Sequence, residues 1–435
     1  MAIERAHKKP SPRICVIGAG PSGIAAIKNL QEQGLTSITV FEKNNQIGGN
    51  WVFDEQSNHS SVYETTHIIS SKRWSEFEDF PMPVDYPDYP SHTQLLNYFR
   101  SYTQHFNLDK YIRFNSTVLK VTKTNDLKWK VVFQDERGTH DDCFDYLLVA
   151  NGHHWDPALP QYPGEFSGEI LHSHQYKKAS VFKSKRVLVV GGGNSACDVA
   201  VEISRIAPKT YISMRRGYHI FPKFIFGKTT DVAVAKIQWM PSWLRQKVIS
   251  FVVRIIQGRY DKYKLPKPDC GPLETHPTIN GELLYFIRHG KIIPRPGITR
   301  FEDKQVHFSD GSFDEFDTVI FATGYQISFP FFDKECLDFS NATKIPLYRK
   351  MMHADYENLY FIGLCQPQGC IWPLADYQSK IVARIIAGSL KRPEQLKEKI
   401  AKETNKPHYR FKSNMRHALE VDYHIFRREL LDMLR

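Results

Sequence analysis

The 435-residue chain contains no uninterrupted run of about 18 apolar residues, the length a membrane-spanning helix requires. Its most apolar stretch, Val248–Ile256, carries Arg254. The first twelve residues are polar and basic and have no apolar centre, so they are expected to be a disordered tail rather than a secretory leader. No CxxC pair is present. The seven cysteines are odd in number and scattered, so a disulfide scaffold is excluded and free thiols in a reducing, cytoplasmic compartment are expected. There is no metal-ligating cluster, and no metal is expected. The net charge of +11 comes without a basic stripe interleaved with aromatics, so nucleic acid is not expected as a partner. The charge reads instead as a field favouring anionic cofactors, with a solvated basic segment from Lys391 onward. A composition 41% hydrophobic and 24% charged excludes a disordered chain, and the length suits two or three domains.

What the sequence does contain is one pattern written twice. Residues 13–23 form a short apolar run that ends in Gly18-Ala-Gly20-Pro21-Ser22-Gly23. An Ala/Ile/Leu-rich helical segment (Ile24–Leu30) and a second apolar run (Ile38–Phe41) follow, closed by Glu42 and Lys43. This is the strand–turn–helix–strand–acid order of a dinucleotide-binding unit. Gly18 permits a tight turn, Gly20 lets the backbone approach a pyrophosphate, and Gly23 lets helix and strand pack closely. The diphosphate would lie over the helix N-terminus, where unpaired N–H groups and the dipole favour negative charge. Residues 186–196 repeat the pattern with Gly191, Gly193, Asn194, Ser195 and Ala196, then a helical stretch, then a strand ending in Arg215-Arg216.

The copies differ at one informative place. Twenty-four residues separate Gly18 from Glu42, and twenty-four separate Gly191 from Arg215. A carboxylate there accepts hydrogen bonds from a free ribose diol and repels a 2′-phosphate; a guanidinium does the reverse. The first unit is therefore expected to hold FAD and the second NADPH, with electrons passing from nicotinamide to flavin.

Phe144–Gly152 and Phe316–Gly324 are near-copies, each a buried-looking strand ending in a small turn. The expected fold is α/β, with two Rossmann-like domains. The NADPH domain (166–285) is inserted into an FAD domain made of 1–165 and 286–435. Within the insert, residues 217–276 depart from βαβ alternation and form a helical insertion, amphipathic at Trp243–Ile256. This segment reads either as a lid or channel wall near the substrate or as a packing or dimer surface.

Phe166, Gly168, His172 and Tyr176 complete an F-x-G-x-x-x-H-x-x-x-Y string between the two glycine fingerprints. With Gly48-Gly49-Asn50-Trp51, Asp79-Phe80-Pro81-Met82-Pro83, Gly193–Asp198, Phe321–Tyr325 and His417–Tyr423, the chain resembles the flavin-containing monooxygenases, class B flavoprotein monooxygenases, over nearly its whole length. The resemblance implies FAD and NADPH as cofactors and capture of O2 as a flavin C4a-hydroperoxide. Oxygen is then transferred to a small-molecule soft nucleophile, an amine nitrogen or sulfide sulfur. The resemblance favours a homodimer, and it implies that Gly49, Asn50 and Trp51 join the FAD site. In the Baeyer–Villiger subgroup Trp or Asp closes the string where Tyr176 stands here. His172 is expected to fix the hinge between domains rather than to move protons.

One position departs from the family pattern. An Asn is expected ten residues before Asp79, and Ile69 stands there. Isoleucine donates no hydrogen bond, so His67, Ser70 or Ser71 takes over, or the enzyme leaks peroxide. The alternative readings are Baeyer–Villiger oxidation of ketones and an uncoupled NADPH oxidase. More distant are a disulfide reductase, for which Cys365 and Cys370 have a four-residue gap but lie near the C-terminus, and a non-catalytic flavoprotein.

Overall fold

The computed structural model describes residues 11–56, 59–272, 274–339, 344–405 and 418–435; the first ten residues and His417 of the C-terminal motif lie outside them. The apolar run before the first fingerprint is β1 (Ile14–Ile17), buried at every position. It leads through the glycine turn into α1 (Pro21–Glu32) and then β2 (Ile38–Phe41), β3 (Ile112–Arg113) and β4 (Tyr146–Val149). An antiparallel ribbon, Thr117–Lys123, Trp129–Asp135 and Gly138–Phe144, fills the interval before β4. The second unit holds β5 (Glu169–His172), β6 (Arg186–Val190), α2 (Asn194–Ser204) and β7 (Lys209–Ser213). The insertion follows, with α3 (Thr230–Ala235) and α4 (Ser242–Gln257), then β8 (Ile292–Arg295) and β9 (Thr318–Phe321). The chain returns to the first sheet with β10 (Leu347–Tyr348), β11 (Met352–His353) and β12 (Leu359–Phe361), and ends in α5 (Trp372–Ile386) and α6 (Tyr423–Leu434).

The first sheet has the order β10-β11-β12-β4-β1-β2-β3 and the second β8-β7-β6-β9-β5. Their central strands run parallel, and continuous apolar strands such as β1 and β6 suit sheets covered on both faces. On one face of the first sheet α1 lies against α5, where Asn29 Nδ2 donates to Asp376 at 2.7 Å.

The two units match beyond their glycines. β4 lies beside β1 as β9 lies beside β6, so the near-copies Phe144–Gly152 and Phe316–Gly324 are the closing strands of their own domains. Each closing strand is preceded by a three-stranded antiparallel ribbon, the second formed by Ile298–Glu302, Gln305–Phe308 and Phe313–Glu315. β8 pairs with β7 as β3 pairs with β2.

This corrects the domain boundary expected at 285/286. Residues 292–321 belong to the second sheet, and the chain rejoins the first only beyond Phe321. The segment from 286 to 321 is the second half of the second unit, separated from the first half by the helical insertion.

The fingerprint glycines are required by contact. Gly18 has φ +100°, and a Cβ there would lie 2.7 Å from the carbonyl oxygen of Ala150; Gly191 has φ +139°, with Ala322 O at 2.4 Å. A Cβ on Gly23 would come within 2.0 Å of Gly18 O. Only bare backbone lets each turn cross the end of its neighbouring strand. Gly23→Ala is therefore expected to destabilise the first unit by about 1–3 kcal/mol through overpacking, read as a lower thermal midpoint of flavin-free protein.

Candidate active site

At the β1–α1 turn lies a cavity of about 380 Å³ lined by Gly18, Gly20, Pro21, Ser22, Glu42, Lys43, Gly49, Asn50 and Trp51. Every residue expected from the sequence to hold FAD borders it except Gly23, which packs helix to strand. α1 begins at Gly20 with no side-chain cap, leaving its first N–H groups for an anion. Glu42 is buried; its Oε2 accepts from Ala19 N at 2.7 Å and its Oε1 from Asn44 N at 2.9 Å. Burial pushes its carboxyl pKa up, opposed by those two bonds. The Lys43 ammonium sits 5.5 Å from the centre of the Trp155 ring. Asn50 Oδ1 accepts from both the N–H and the hydroxyl of Ser61, at 2.7 and 2.9 Å. These features fit a dinucleotide: a glycine floor, an uncapped helix start and a buried acid.

Sequence reasoning missed several lining residues. His153, His154 and Trp155 follow the closing strand β4, and Gly363, Ile371 and Trp372 come from the far end of the chain. Trp372 stands edge-on to Trp51 at 5.7 Å. Its indole N–H donates to the carbonyl of Ser75, which ties the Ile69–Ser75 loop to the cavity wall. Only the Asn-Gly ending of β4 pointed to the first group; nothing local marked the second.

In the second unit α2 also begins without a side-chain cap, at Gly193, with Ser195 exposed and Ala196 buried. Asn194 is turned inward, its Oδ1 accepting from Ile279 N at 2.7 Å, and Thr278 Oγ1 donates to Gly192 O at 2.8 Å. The side chain of Asn194 thus anchors the loop to 278–279, leaving its backbone at the helix start. Arg215 is exposed at the end of β7, running alongside Gly297; Arg216 lies over the Tyr218 ring at 5.4 Å.

The F-x-G-x-x-x-H-x-x-x-Y string is structural. A Cβ on Gly168 would meet the Phe166 ring at 2.6 Å and Asp317 O at 2.7 Å. His172, buried at the end of β5, accepts at Nδ1 from His174 N at 3.1 Å and meets Tyr325 edge-on at 5.2 Å. Burial lowers its pKa to about 4, so it is neutral at pH 7 and holds a joint between the closing turn of β9 and β5. Tyr176 donates to Glu202 Oε2 at 2.9 Å and stands edge-on to Tyr63 at 5.4 Å. Tyr63, from the first unit, donates to Asp198 Oδ2 at 3.3 Å, and Asn280 Nδ2 donates to Asp198 Oδ1 at 2.6 Å. Asp198 and Glu202 lie on α2, so the two domains meet on its flank.

A second cavity of about 110 Å³ lies between the Ile69–Trp74 loop, the insertion and α6; Ile69, Ser70, Trp74, Ile249, His276 and Tyr423 are among its walls. Asp231, at the start of α3, accepts from Ser71 N at 2.6 Å and closes the insertion against this loop. Asp79 of the Asp-Phe-Pro motif is paired with buried Lys28 of α1.

A sequence profile described as flavin-binding monooxygenase-like matches residues 11–435. Flavin-containing monooxygenase 5 of Rattus norvegicus is 35% identical over 452 residues, covering 97% of this chain and 82% of that protein. The chain belongs to the flavin-binding monooxygenase-like family. Dimethylaniline monooxygenase [N-oxide-forming] 2 of Pan troglodytes is 34% identical, covering 88% and 75% respectively. Among solved structures, cyclohexanone monooxygenase from Rhodococcus sp. Phi1 bound to NADP+ has the same fold, with a TM-score of 0.74 at 16% identity, covering 97% of both chains. This family member is an NADPH-dependent flavin monooxygenase, an oxidoreductase using O2, with FAD and NADPH as its cofactors. No helix among the described residues is long and apolar enough to cross a membrane.

The family fixes the question at Ile69. Of the three neighbours expected to replace the missing amide, His67 is exposed with Nδ1 bonded to Thr65 O at 2.8 Å. The Ser70 hydroxyl is bonded to the Ser75 hydroxyl at 2.9 Å, whereas the buried Ser71 Oγ makes no hydrogen bond. Only Ile69 and Ser70 of this group border the second cavity. Cys365 and Cys370 are buried, and neither lines the cavity at the β1–α1 turn.

Burial raises the Glu202 pKa to about 7. A carboxyl whose pKa is raised on folding contributes stability that is complete at low pH and declines as pH rises through the window between its ordinary value and about 7. The slope of thermal midpoint against pH in that window is expected to flatten in Glu202→Gln, which keeps an acceptor for Tyr176 but cannot ionise.

Proposed function

We propose that the enzyme oxygenates small amines and sulfides, with FAD on Gly18, Gly20, Pro21, Ser22, Glu42, Lys43, Gly49, Asn50 and Trp51. NADPH is held by the loop Gly191–Ala196 together with Arg215 and Arg216. The observation that carries this reading is the opposite charge at the equivalent ends of β2 and β7, Glu42 against Arg215. The N-oxide-forming relative supports amine nitrogen as the first substrate class.

Bound FAD, reduced by NADPH, supplies the activation of O2 and the oxygen atom for transfer. The chain supplies position and exclusion of water. Glu42 is fixed by two backbone N–H bonds and offers its remaining lone pairs to ribose hydroxyls. The uncapped starts of α1 and α2 orient the two diphosphates. Trp51 and Trp372 close the FAD cavity with aromatic surface. The second cavity receives the organic substrate, with Ile69 and Trp74 on the loop that Trp372 anchors to the flavin side. His172, neutral, moves no proton at pH 7.

One observation favours a second outcome of the same chemistry. With Ile69 in the amide slot and the Ser70 hydroxyl engaged by Ser75, part of the NADPH is oxidised to NADP+ without substrate oxygenation, its two electrons reducing O2 to hydrogen peroxide. Ketone oxidation is the alternative to test in the same substrate screen. Seven free cysteines support a reducing, cytoplasmic setting, and sedimentation of the FAD-loaded enzyme tests the homodimer.

Arg215→Glu is expected to raise KM for NADPH about 10- to 100-fold, the equivalent of one charge-assisted hydrogen bond, while sparing NADH. Equal loss with both nucleotides would remove Arg215 from the phosphate site. Ile69→Asn is expected to lower the peroxide formed per NADPH oxidised in the presence of a sulfide; an unchanged ratio would show that position 69 does not face the reacting oxygen.

A further inference from the structure

We propose that the indole N–H of Trp74 donates a hydrogen bond to the oxygen newly attached to the substrate in the second cavity, an inference that rests on that cavity being the substrate site. Trp74 belongs to the wall that also carries Ile69 and Ser70. Its Nε1 is shielded from solvent and bonds to nothing, and among the described residues it is the one such side-chain atom on the walls of this cavity. An indole nitrogen is a donor only, and when buried it usually finds an acceptor. One left without carries a desolvation cost that native interiors rarely keep. The neighbouring tryptophan shows the ordinary outcome, since Trp372 donates to the carbonyl of Ser75, one residue beyond Trp74. The unpaired N–H is also held in place. Trp74 closes the short turn Lys72–Trp74, its backbone N–H donating to Ser71 O at 3.0 Å. Its ring meets His424 edge-on at 4.7 Å and Tyr423 at 5.8 Å, both at the start of α6.

The chemistry of oxygen transfer identifies the acceptor. Trp74 does not border the cavity at the β1–α1 turn, so its partner is on the substrate side. The nucleophile itself is a poor match. A neutral amine must keep its single lone pair for the incoming oxygen, and a thioether sulfur accepts only weakly. Once oxygen is attached, the new bond is polarised toward N+–O− or S+–O−, and that oxygen is a strong acceptor. A donor fixed beside it contributes little to holding the incoming substrate. It contributes more as negative charge gathers on the oxygen, which is the condition under which binding energy lowers a barrier. The N–H keeps its proton throughout, so it acts as neither acid nor base. The setting strengthens the bond: Tyr89, Phe221, Ile249 and Tyr423 give the cavity an apolar lining of low local dielectric. Two nearby polar groups are already engaged, the Ser70 hydroxyl with Ser75 and the Asp231 carboxylate with Ser71 N.

The test is binding of two neutral probes that differ by one oxygen, thioanisole and methyl phenyl sulfoxide, to the FAD-loaded, NADP+-bound enzyme, read by calorimetry. Trp74→Phe keeps an aromatic ring against Tyr423 and His424 and removes the donor. It is expected to bind the sulfoxide about tenfold more weakly, the effect of one hydrogen bond, with thioanisole changed by less than about twofold. Should Trp74→Phe fail to retain flavin, Trp74→Met takes its place. The unmodified enzyme labelled with 15N at its seven indoles gives a second readout. The N–H resonance missing from the Trp74 variant is expected to move downfield with the sulfoxide and not with thioanisole; an unmoved resonance overturns the proposal. Ile249→Trp, which fills the cavity, is expected to exclude both probes. If it binds them as the parent does, the cavity is not the substrate site and the proposal falls with that reading. If it excludes both, but Trp74→Phe weakens the two probes equally or leaves the sulfoxide unaffected, the cavity reading stands and the proposal alone is overturned. Loss of sulfoxide affinity in Tyr423→Phe instead of Trp74→Phe gives the contact to that phenol and overturns it as well.

Discussion

The molecule depends on the approach of a side-chain-free turn to the end of a neighbouring strand, made twice. Gly18 crosses Ala150 and Gly191 crosses Ala322 at separations that no Cβ could share. Each crossing brings a helix start without a side-chain cap to the carboxyl edge of a parallel sheet, and at α1 that start borders the 380 Å³ cavity. The second strand of each unit then ends in opposite charge, Glu42 in the first and Arg215 in the second, the difference on which the proposed assignment of the two nucleotides rests. Most of the remaining structure keeps these two edges in one relative position.

That relative position rests on a small polar joint. Tyr63 reaches from the first unit to Asp198, Asn280 holds the other oxygen of that carboxylate, and Tyr176 holds Glu202 one turn further along α2. The tyrosine that closes the family string therefore acts through a helix, and His172 acts through packing against Tyr325. Both are remote from chemistry in the direct sense. They are needed because a nicotinamide and a flavin held by separate domains react only at a fixed distance and angle. The insertion adds a second connection, with Asp231 on the Ser71 backbone beside the Ile69 slot.

The glycine fingerprints, the acid and the arginine were legible because they are local: residues at fixed spacing on one strand–helix–strand unit. The duplication was legible only in part. β3, the antiparallel ribbon and the closing strand of the first unit have counterparts in β8, the second ribbon and β9. The sequence displays only the closing strands as near-copies, and a buried strand carries no mark of which sheet it joins. For that reason the segment 286–321 was expected in the FAD domain and belongs to the other. Trp372 and Gly363 at the β1–α1 cavity were invisible for a related reason, since more than 300 residues separate them from the turn they complete.

The sequence by itself determined the class of chemistry: two nucleotide cradles of opposite charge preference, free thiols, and an isoleucine where a hydrogen-bond donor was expected. Those are properties of residue type and short spacing, and folding does not change them. Only the tertiary structure decided that Asn194 serves its loop, that the Ser70 hydroxyl is engaged while Ser71 Oγ is unbonded, and that Trp243 and Phe251 face outward while Ile249 faces a cavity. Each of these depends on which distant backbone or side chain arrives next to a residue, a matter of packing and of hydrogen bonds between remote segments that no local pattern encodes.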